Sequence, residues 1–470
     1  MGIDVTKALG CAALWLGLAA SAAAQLGGPL PGSASSVSAA GPVAAAPLTP
    51  NVLLVILDDV GNDKVGAYGE HPQAPPTPTL DALAARGVLF RNAYANPVCS
   101  PTRATIMTGR YSFRTGIGAV IKVKQPVAAL PYAELTLPEL FELGAPGRYE
   151  NALVGKWHLG SASSGAEFNA LQQGWQHHWG VKGNLGNYYS WPKFEDGVPV
   201  HSTEYVTSVQ IDDALHFTRQ LREPWLIALS TTAAHTPYHA PPANLHSERL
   251  SGAPADTPVA HFDAAVEALD TELGRLFDAM DPAVLARTTV IVIGDNGPPG
   301  AAVTPPFASG GAKGSLYEGA VNVPLIVAGW GVPAQGAECR ALVSSVDLFA
   351  TVAELGGLDA RAVLPDYRAL DSISLVPYFS EPGRTPLRAY AYVEKFSPNG
   401  VFPAQSAGRA IRDVRWKLIQ RQGSSEQFYD LGNAITEGVN LLGGSDPLSP
   451  DQLQGYLSLK LRLEKLTGSP

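Results

Sequence analysis

Val52-Leu53-Leu54-Val55-Ile56-Leu57-Asp58-Asp59 is the stretch that decides how this chain folds. An unbroken apolar run has no polar alternate to face water, so it reads as a strand buried on both faces. The pattern recurs in Ala152-Leu153-Val154-Gly155, in Trp225-Leu226-Ile227-Ala228-Leu229 and in Thr289-Val290-Ile291-Val292-Ile293-Gly294. Each run delivers polar groups at its C-terminal end: Asp58-Asp59, Lys156-Trp157-His158, Ser230 leading to His235, and Asp295-Asn296. In an open α/β sheet the ligand crevice lies outside the carboxyl ends of the strands. The pattern therefore predicts a mostly parallel sheet with Asp, Lys, His and Asn converging at one edge.

Helices fit between these strands. Pro78 to Gly87 has a threonine as candidate cap and Gly87 as stop, and His261 to Met280 carries apolar residues at helical spacing. Val346 to Val352 reads as a structural helix. Near Pro386 the chain changes character. Ala389–Glu394, Gly408–Ile411, Trp416–Gln420 and Gln427–Tyr429 read as short strands, followed by a polar helix from about Pro450 to Leu466.

The chain has 470 residues, and about 150 residues per domain suggests two or three domains. With 46% hydrophobic and 16% charged residues it reads as globular. A net charge of -9 argues against a nucleic-acid partner and weakly against a polyanionic substrate, which would prefer a basic groove.

Lys7, the apolar run Ala8–Ala20 and Ala22-Ala23-Ala24 before Gln25 read as an export signal, too short for a spanning helix. The expected location is periplasmic or secreted, in a bacterium, with the membrane met only during export. Residues 1–24 are the signal, 25–50 a Gly/Ala/Ser/Pro-rich linker, 51–385 a catalytic domain and 386–470 a C-terminal subdomain. Removing the signal leaves Cys99 and Cys339, which could pair in an oxidising compartment. Cys339 otherwise reads as a residue in a surface connection.

In Cys99-Ser100-Pro101-Thr102-Arg103, Ser100 can cap a helix with Pro101 at its first position and Gly109 as its stop. Cys99 then sits ahead of a helix N-terminus, where backbone N–H groups and the dipole favour anions. A buried bystander thiol and a thiolate nucleophile are both open readings of that cysteine. Asp58, Asp59, Asp295 and Asn296 offer four hard oxygen side chains, which suit Ca²⁺ or Mg²⁺ over Zn²⁺.

Cys99-Ser100-Pro101-Thr102-Arg103 with Thr108-Gly109-Arg110 is followed in order by Gly155-Lys156-Trp157-His158-Leu159-Gly160, His235-Thr236-Pro237-Tyr238-His239-Ala240-Pro241 and Lys313-Gly314-Ser315-Leu316-Tyr317-Glu318-Gly319. On these segments the chain resembles the formylglycine-dependent, arylsulfatase-like sulfatases of the alkaline phosphatase superfamily along most of its length. The resemblance implies an α/β fold: a large, mostly parallel sheet sandwiched by helices, plus a small C-terminal antiparallel sheet with a packed helix. It also implies that a maturation enzyme reads the Cys99 motif and oxidises the thiol to formylglycine. Asp58, Asp59, Asp295 and Asn296 would bind Ca²⁺, with residue 99 completing the shell. The hydrated aldehyde would attack sulfur in a small aryl or carbohydrate sulfate ester. His235 and Lys313 would bind sulfate and protonate the leaving oxygen, His158 would take the proton from the second hydroxyl, and Arg103 and Lys156 would stabilise the alkoxide.

One departure is that Ala320-Val321-Asn322 stands where the family usually has Gly-x-Arg before Val323-Pro324. Two other activities fit the same residues: a phosphonate monoester or phosphodiester hydrolase of that superfamily, and an unmatured binder of sulfated ligands. Specificity falls to rim segments, among them Ile121–Val127, Asn184–Trp191 and a mobile Gly297–Gly311. Tyr188, Tyr189 and Trp191 could stack on a ring or pack at a loop base. His177, His178 and His239 could line the mouth or be structural.

Overall fold

The computed structural model describes residues 49–400, 406–432 and 434–468. The expected signal (1–24) and linker residues 25–48 lie outside the described residues. Ten strands form the main sheet: β1 (Asn51–Leu57), β2 (Gly87–Tyr94), β3 (Glu150–Lys156), β4 (His177–Val181), β5 (Trp191–Glu195), β6 (Val198–Ser202), β7 (Trp225–Ser230), β8 (Thr288–Gly294), β9 (Leu325–Gly329) and β10 (Ala337–Ser344). Their order is β10-β2-β9-β8-β1-β7-β3-β4-β5-β6. The four apolar runs are neighbours, β8-β1-β7-β3, and all three pairings between them are parallel. In this sheet β9 and β5 run against the central strands, and β6 turns back from β5.

β1 explains why its run has no polar alternate. Val52, Leu54 and Ile56 enter one core, while Leu53, Val55 and Leu57 enter the other. Helices Val206–Gln220 and Pro258–Ala279 cover the second face with α1 (Pro78–Ala85), supplying Ile211, Phe262, Leu269 and Leu83. The first face is covered by α2 (Cys99–Thr108) with helices Leu137–Gly144 and Leu348–Leu355, supplying Ile106, Phe141 and Phe349. Each such fully buried side chain contributes roughly 1.5–3 kcal/mol. Gly87, expected as a helix stop, opens β2, and α1 ends at Arg86.

A second, antiparallel sheet has the order β11 (Ala391–Ser397), β12 (Ser406–Arg412), β13 (Trp416–Arg421) and β14 (Gln427–Asp430). One face packs Val393, Ala410 and Ile419 against Leu316 and Val321. The other packs Leu418 and Phe428 against Leu459 and Leu463 of helix Pro450–Thr467. Ser449 caps that helix in a capping box with Gln452.

Two further sequence expectations need correction, and one open possibility closes. Cys339 lies within β10 and is buried, because its position faces the core of an edge strand that helices cover. Cys99 and Cys339 are both free and buried, so no pairing exists between them. The Gly297–Gly311 stretch is fastened to the domain: Ala302 and Phe307 are buried, and Asp63 accepts hydrogen bonds from Thr304 N and Oγ1, each at 2.9 Å. Among the described residues no helix is long and apolar enough to cross a membrane.

Candidate active site

Parallel pairing brings the polar ends of the four apolar strands to one edge. Asp59 N donates to Asp295 Oδ1 at 3.0 Å, and Asn296 Nδ2 donates to Asp59 Oδ1 at 2.7 Å. Oxygens of Asp58, Asp59 and Asp295 lie within 4.8 Å of one another, as do ligand atoms of Asp58, Cys99 and His235. Asp59 adopts a left-handed backbone (φ 68°), a strain of roughly 1–2 kcal/mol that turns its carboxylate back toward the cluster. Gly297 makes the next turn possible. A Cβ there would lie 1.9 Å from Gly319 O, so only glycine lets this loop press against the segment carrying Lys313.

α2 begins at Cys99 itself. Val98 (φ -147°, ψ 160°) is the N-cap, which makes Ser100 helical and not the cap. The Ser100 hydroxyl instead bridges two loops, donating to His158 O at 2.9 Å and accepting from Ile121 N at 3.0 Å. Gly109 ends the helix in the left-handed region (φ 67°), as expected. One turn in, Arg103 is fully committed. Nε and one terminal nitrogen donate to Asp295 Oδ2 at 3.2 and 2.9 Å, and the other terminal nitrogen donates to Lys156 O at 2.9 Å and to Ser230 Oγ.

Three buried carboxylates face three cations. Lys156 Nζ donates to Asp58 Oδ2 at 2.6 Å, Lys313 Nζ to Asp59 Oδ1, and Arg103 to Asp295. Burial pushes the Asp58 and Asp59 carboxyls up, but Lys156 beside the first and Lys313 beside the second, with His235, hold both below the usual range. Asp295 goes the other way: burial and the Asp58 charge raise it more than Arg103 lowers it. Asp58 Oδ1, Asp59 Oδ2 and Asn296 Oδ1 are buried without a hydrogen-bond partner. Converging orphaned oxygens are costly unless a cation gathers them, and hard oxygen donors fit Ca²⁺ or Mg²⁺. Burial pushes the Cys99 thiol up despite nearby Lys156 and Lys313, so the unmodified sulfur is a poor thiolate.

His158 is buried with a left-handed backbone (φ 61°), and its Nε2 lies 3.1 Å from Ile121 O. A carbonyl only accepts, so Nε2 carries the hydrogen. Nδ1 then has the free lone pair, and it is buried without a partner. Burial, then Lys156 and Arg103, holds the imidazole well below its ordinary value, which keeps it neutral. His235 Nδ1 donates to Thr236 O at 2.7 Å, and its Nε2 stands 3.8 Å from Asp59 Oδ2.

Other residues lie elsewhere. His177 and His178 start β4, paired with Ala152 and Leu153 at the opposite end of the strands from Lys156. Tyr188 is packed and not presented: its hydroxyl donates to Thr232 O and His235 O, and it stacks on His239 at 3.7 Å. Trp191 is likewise buried, donating to Glu204 O at 2.9 Å, while Tyr189 is partly exposed. Sequence reasoning named Ser230 as a strand ending and Ile121 as the start of a rim segment, but gave neither a role at the site. Ser230, at the end of β7, carried a usable signal; the Ile121 carbonyl carried none.

The family model described as Sulfatase matches residues 50–358. The chain belongs to the sulfatase family, the sulfuric ester hydrolases. This sulfatase is similar to N-acetylgalactosamine-6-sulfatase of Sus scrofa, 31% identical over 379 residues, 73% of this chain and 68% of the relative. It is also similar to arylsulfatase A of Homo sapiens, 30% identical over 460 residues, 88% of this chain and 87% of the relative. Among solved structures, Ps i-CgsB in complex with k-i-k-neocarrahexaose matches with a TM-score of 0.73 at 23% identity, covering 89% of this chain and 93% of that one. A structure in complex with its substrate D-glucosamine-2-N,6-O-disulfate matches with a TM-score of 0.70 at 19% identity, covering 89% and 98%. At these identities the two structures speak for the fold.

Proposed function

We propose that this sulfatase hydrolyses a small aryl or carbohydrate sulfate monoester with residue 99 as formylglycine and Ca²⁺ held by Asp58, Asp59, Asp295 and Asn296. One observation carries the reading: the Cys99 sulfur lies within 4.8 Å of ligand atoms of Asp58 and His235, and Asp58 also belongs to the carboxylate cluster with Asp59 and Asp295. A bound cation would supply Lewis acidity toward sulfate oxygens. The hydrated aldehyde would supply one hydroxyl for attack on sulfur and a second through which sulfate can leave.

The remaining work falls to the chain's own groups. Lys313, which Asp59 keeps charged against the effect of burial, neutralises the incoming sulfate. His235 has Nδ1–H spent on Thr236 O, so Nε2 is the atom that hands a proton to the departing oxygen. The bare Nδ1 of His158 takes a proton from the second hydroxyl. Arg103 and Lys156 fix Asp295 and Asp58 and add positive charge where the alkoxide forms. Carbohydrate esters gain support from the sugar ligands of the two solved neighbours.

Mass analysis of the Cys99 tryptic peptide from active enzyme tests this reading. The peptide should be lighter by the exchange of sulfur and two hydrogens for one oxygen; an unmodified peptide from fully active protein refutes it. Comparing aryl sulfate with aryl phosphonate turnover tests the ester class, and a large phosphorus preference overturns it. The reading includes a maturation enzyme as partner and export with a mature N-terminus at Gln25. N-terminal sequencing of protein recovered outside the cytoplasm checks the latter.

A further inference from the structure

In the second sheet, Lys395 of β11 pairs with Gly408 of β12, and Gly408 pairs with Arg421 of β13. The three form one rung. Alternation puts Lys395 and Arg421 on the face that carries Val393, Ala410 and Ile419 toward Leu316. With strands about 4.8 Å apart, the two cationic residues leave the backbone roughly 9–10 Å from each other. Between them Gly408 has no side chain, and a Cβ there would meet Leu316 Cδ1 at 3.0 Å and Arg421 Cγ at 3.6 Å. The Leu316 and Arg421 side chains cover the glycine, and the rung brings two positive side chains to one patch of the sheet.

Lys395, Gly408 and Arg421 line two cavities, of 690 and 430 Å³. The smaller one ends on Val98 and Gly314, the chain neighbours of Cys99 and Lys313. Lys395 Nζ donates to Gly314 O, and Gly314 N donates to Pro97 O at 2.8 Å. The smaller cavity thus borders the loops that carry Cys99 and Lys313 on one side and the second sheet on the other. The apolar lining of the smaller cavity includes Val98, Ala119 and Val120.

Among the described residues no carboxylate pairs with Lys395 or Arg421. Arg421 donates to the Gln427 side-chain oxygen and lies over the Tyr317 ring at 5.1 Å. The acids that line the larger cavity are engaged elsewhere: Glu394 accepts from Phe113 N, and Glu426 pairs with Lys460. Burial and then the Arg421 charge push the Lys395 ammonium below its ordinary value, as expected for two cations without a counter-charge.

We propose that the Lys395–Gly408–Arg421 rung is a second anion subsite, and that the natural substrate is a sulfated glycan bearing a further sulfate or carboxylate on the sugar next to the reacting ester. This rests on the hydrolase reading above and names its substrate class. The anion sits between the two cations at the wall of the 430 Å³ cavity, and the intervening ring lies against that cavity's apolar lining. A net charge of -9 argued weakly against a polyanionic substrate, but net charge averages away a local pair.

The test compares three esters on the matured full-length chain: an aryl sulfate, a monosulfated disaccharide, and that disaccharide with a second sulfate or a carboxylate on the neighbouring sugar. Wild type should prefer the doubly charged disaccharide over the singly charged one by about tenfold in kcat/KM, mainly through KM. Arg421→Gln should bring that ratio close to one, and Arg421→Lys should restore most of it. Added salt should erode the wild-type ratio. No preference in wild type, or an equal loss on both disaccharides in Arg421→Gln, overturns the subsite. If wild type releases sulfate from none of the esters, the hydrolase reading fails. Calorimetric binding of the two disaccharides to wild type and Arg421→Gln then still decides the subsite, with equal affinities overturning it.

Discussion

Arg103→Met isolates the electrostatic core of the site. The guanidinium places two donors on Asp295 Oδ2 and one each on Lys156 O and Ser230 Oγ. Lys156 O keeps a donor after the change, because Ser230 Oγ also reaches it at 2.6 Å. The damage therefore concentrates on Asp295, a fully buried carboxylate left without its cation. Breaking a buried pair in this way costs about 3–5 kcal/mol. Asp295→Asn removes the charge that needs the guanidinium, so the double variant should lose less than the two single losses added, with a coupling of about 2–3 kcal/mol. Urea unfolding of the four proteins in chelator measures this without help from a bound cation. Additivity within about 0.5 kcal/mol would refute the account.

A pH arm sharpens the same test. Burial and Asp58 already raise the Asp295 carboxyl, and losing Arg103 raises it further. An acid with a raised native pKa holds its proton more tightly folded than unfolded, so stability falls as pH rises from the unfolded to the folded pKa. The gap between Arg103→Met and wild type should be widest at neutral pH and narrow on acidification, where a neutral carboxyl no longer requires a cation. A gap independent of pH places the cost elsewhere.

Glu394 is buried and its carboxyl is pushed up to about 7, so wild type should lose at most about 3 kcal/mol between pH 4.5 and 7; Glu394→Gln should flatten that slope in urea midpoints. Burial depresses His178 to about 4, so its contribution is intact above pH 6.5 and lost as pH falls toward 4, which His178→Asn should remove in the same assay. Calcium at 100-fold over its Kd should stabilise wild type by about 2.7 kcal/mol, and Asp59→Asn should lose most of that gain in thermal unfolding. Gly297→Ala forces a Cβ to within 1.9 Å of Gly319 O, so a loss of about 1–3 kcal/mol and a lower kcat are expected. Unchanged stability would mean that the two loops separate freely.

The centre of the sheet was legible because β1, β3, β7 and β8 are buried on both faces, and such strands carry unbroken apolar runs. Strand order then brought together Asp58, Asp59, Lys156, His235, Asp295 and Asn296 as the run endings implied, while Lys313, which only the resemblance supplied, joins them through Asp59. Local detail was less accessible. Ser100 has a capping residue's chemistry, but the chain is already helical at Cys99, so the hydroxyl is free to bridge Ile121 and His158. Tyr188 carries the composition of a stacking platform and is spent holding the histidine loop. Cys339 looked peripheral because β10 mixes charged and apolar residues, the pattern of an edge strand whose inner face is packed. The Lys395–Gly408–Arg421 rung was invisible because its members are distant in sequence and meet only through register.

Cys99 has no solvent contact, and every residue of α2 around it is buried. No other protein's catalytic cleft can close around a sulfur in that position. Any enzyme that rewrites this side chain must meet it on a nascent or translocating polypeptide, before the sheet has collapsed over it. On the formylglycine reading proposed above, an active or an inert molecule would then be decided once, during biosynthesis, and a chain that folds too early would keep its thiol for life.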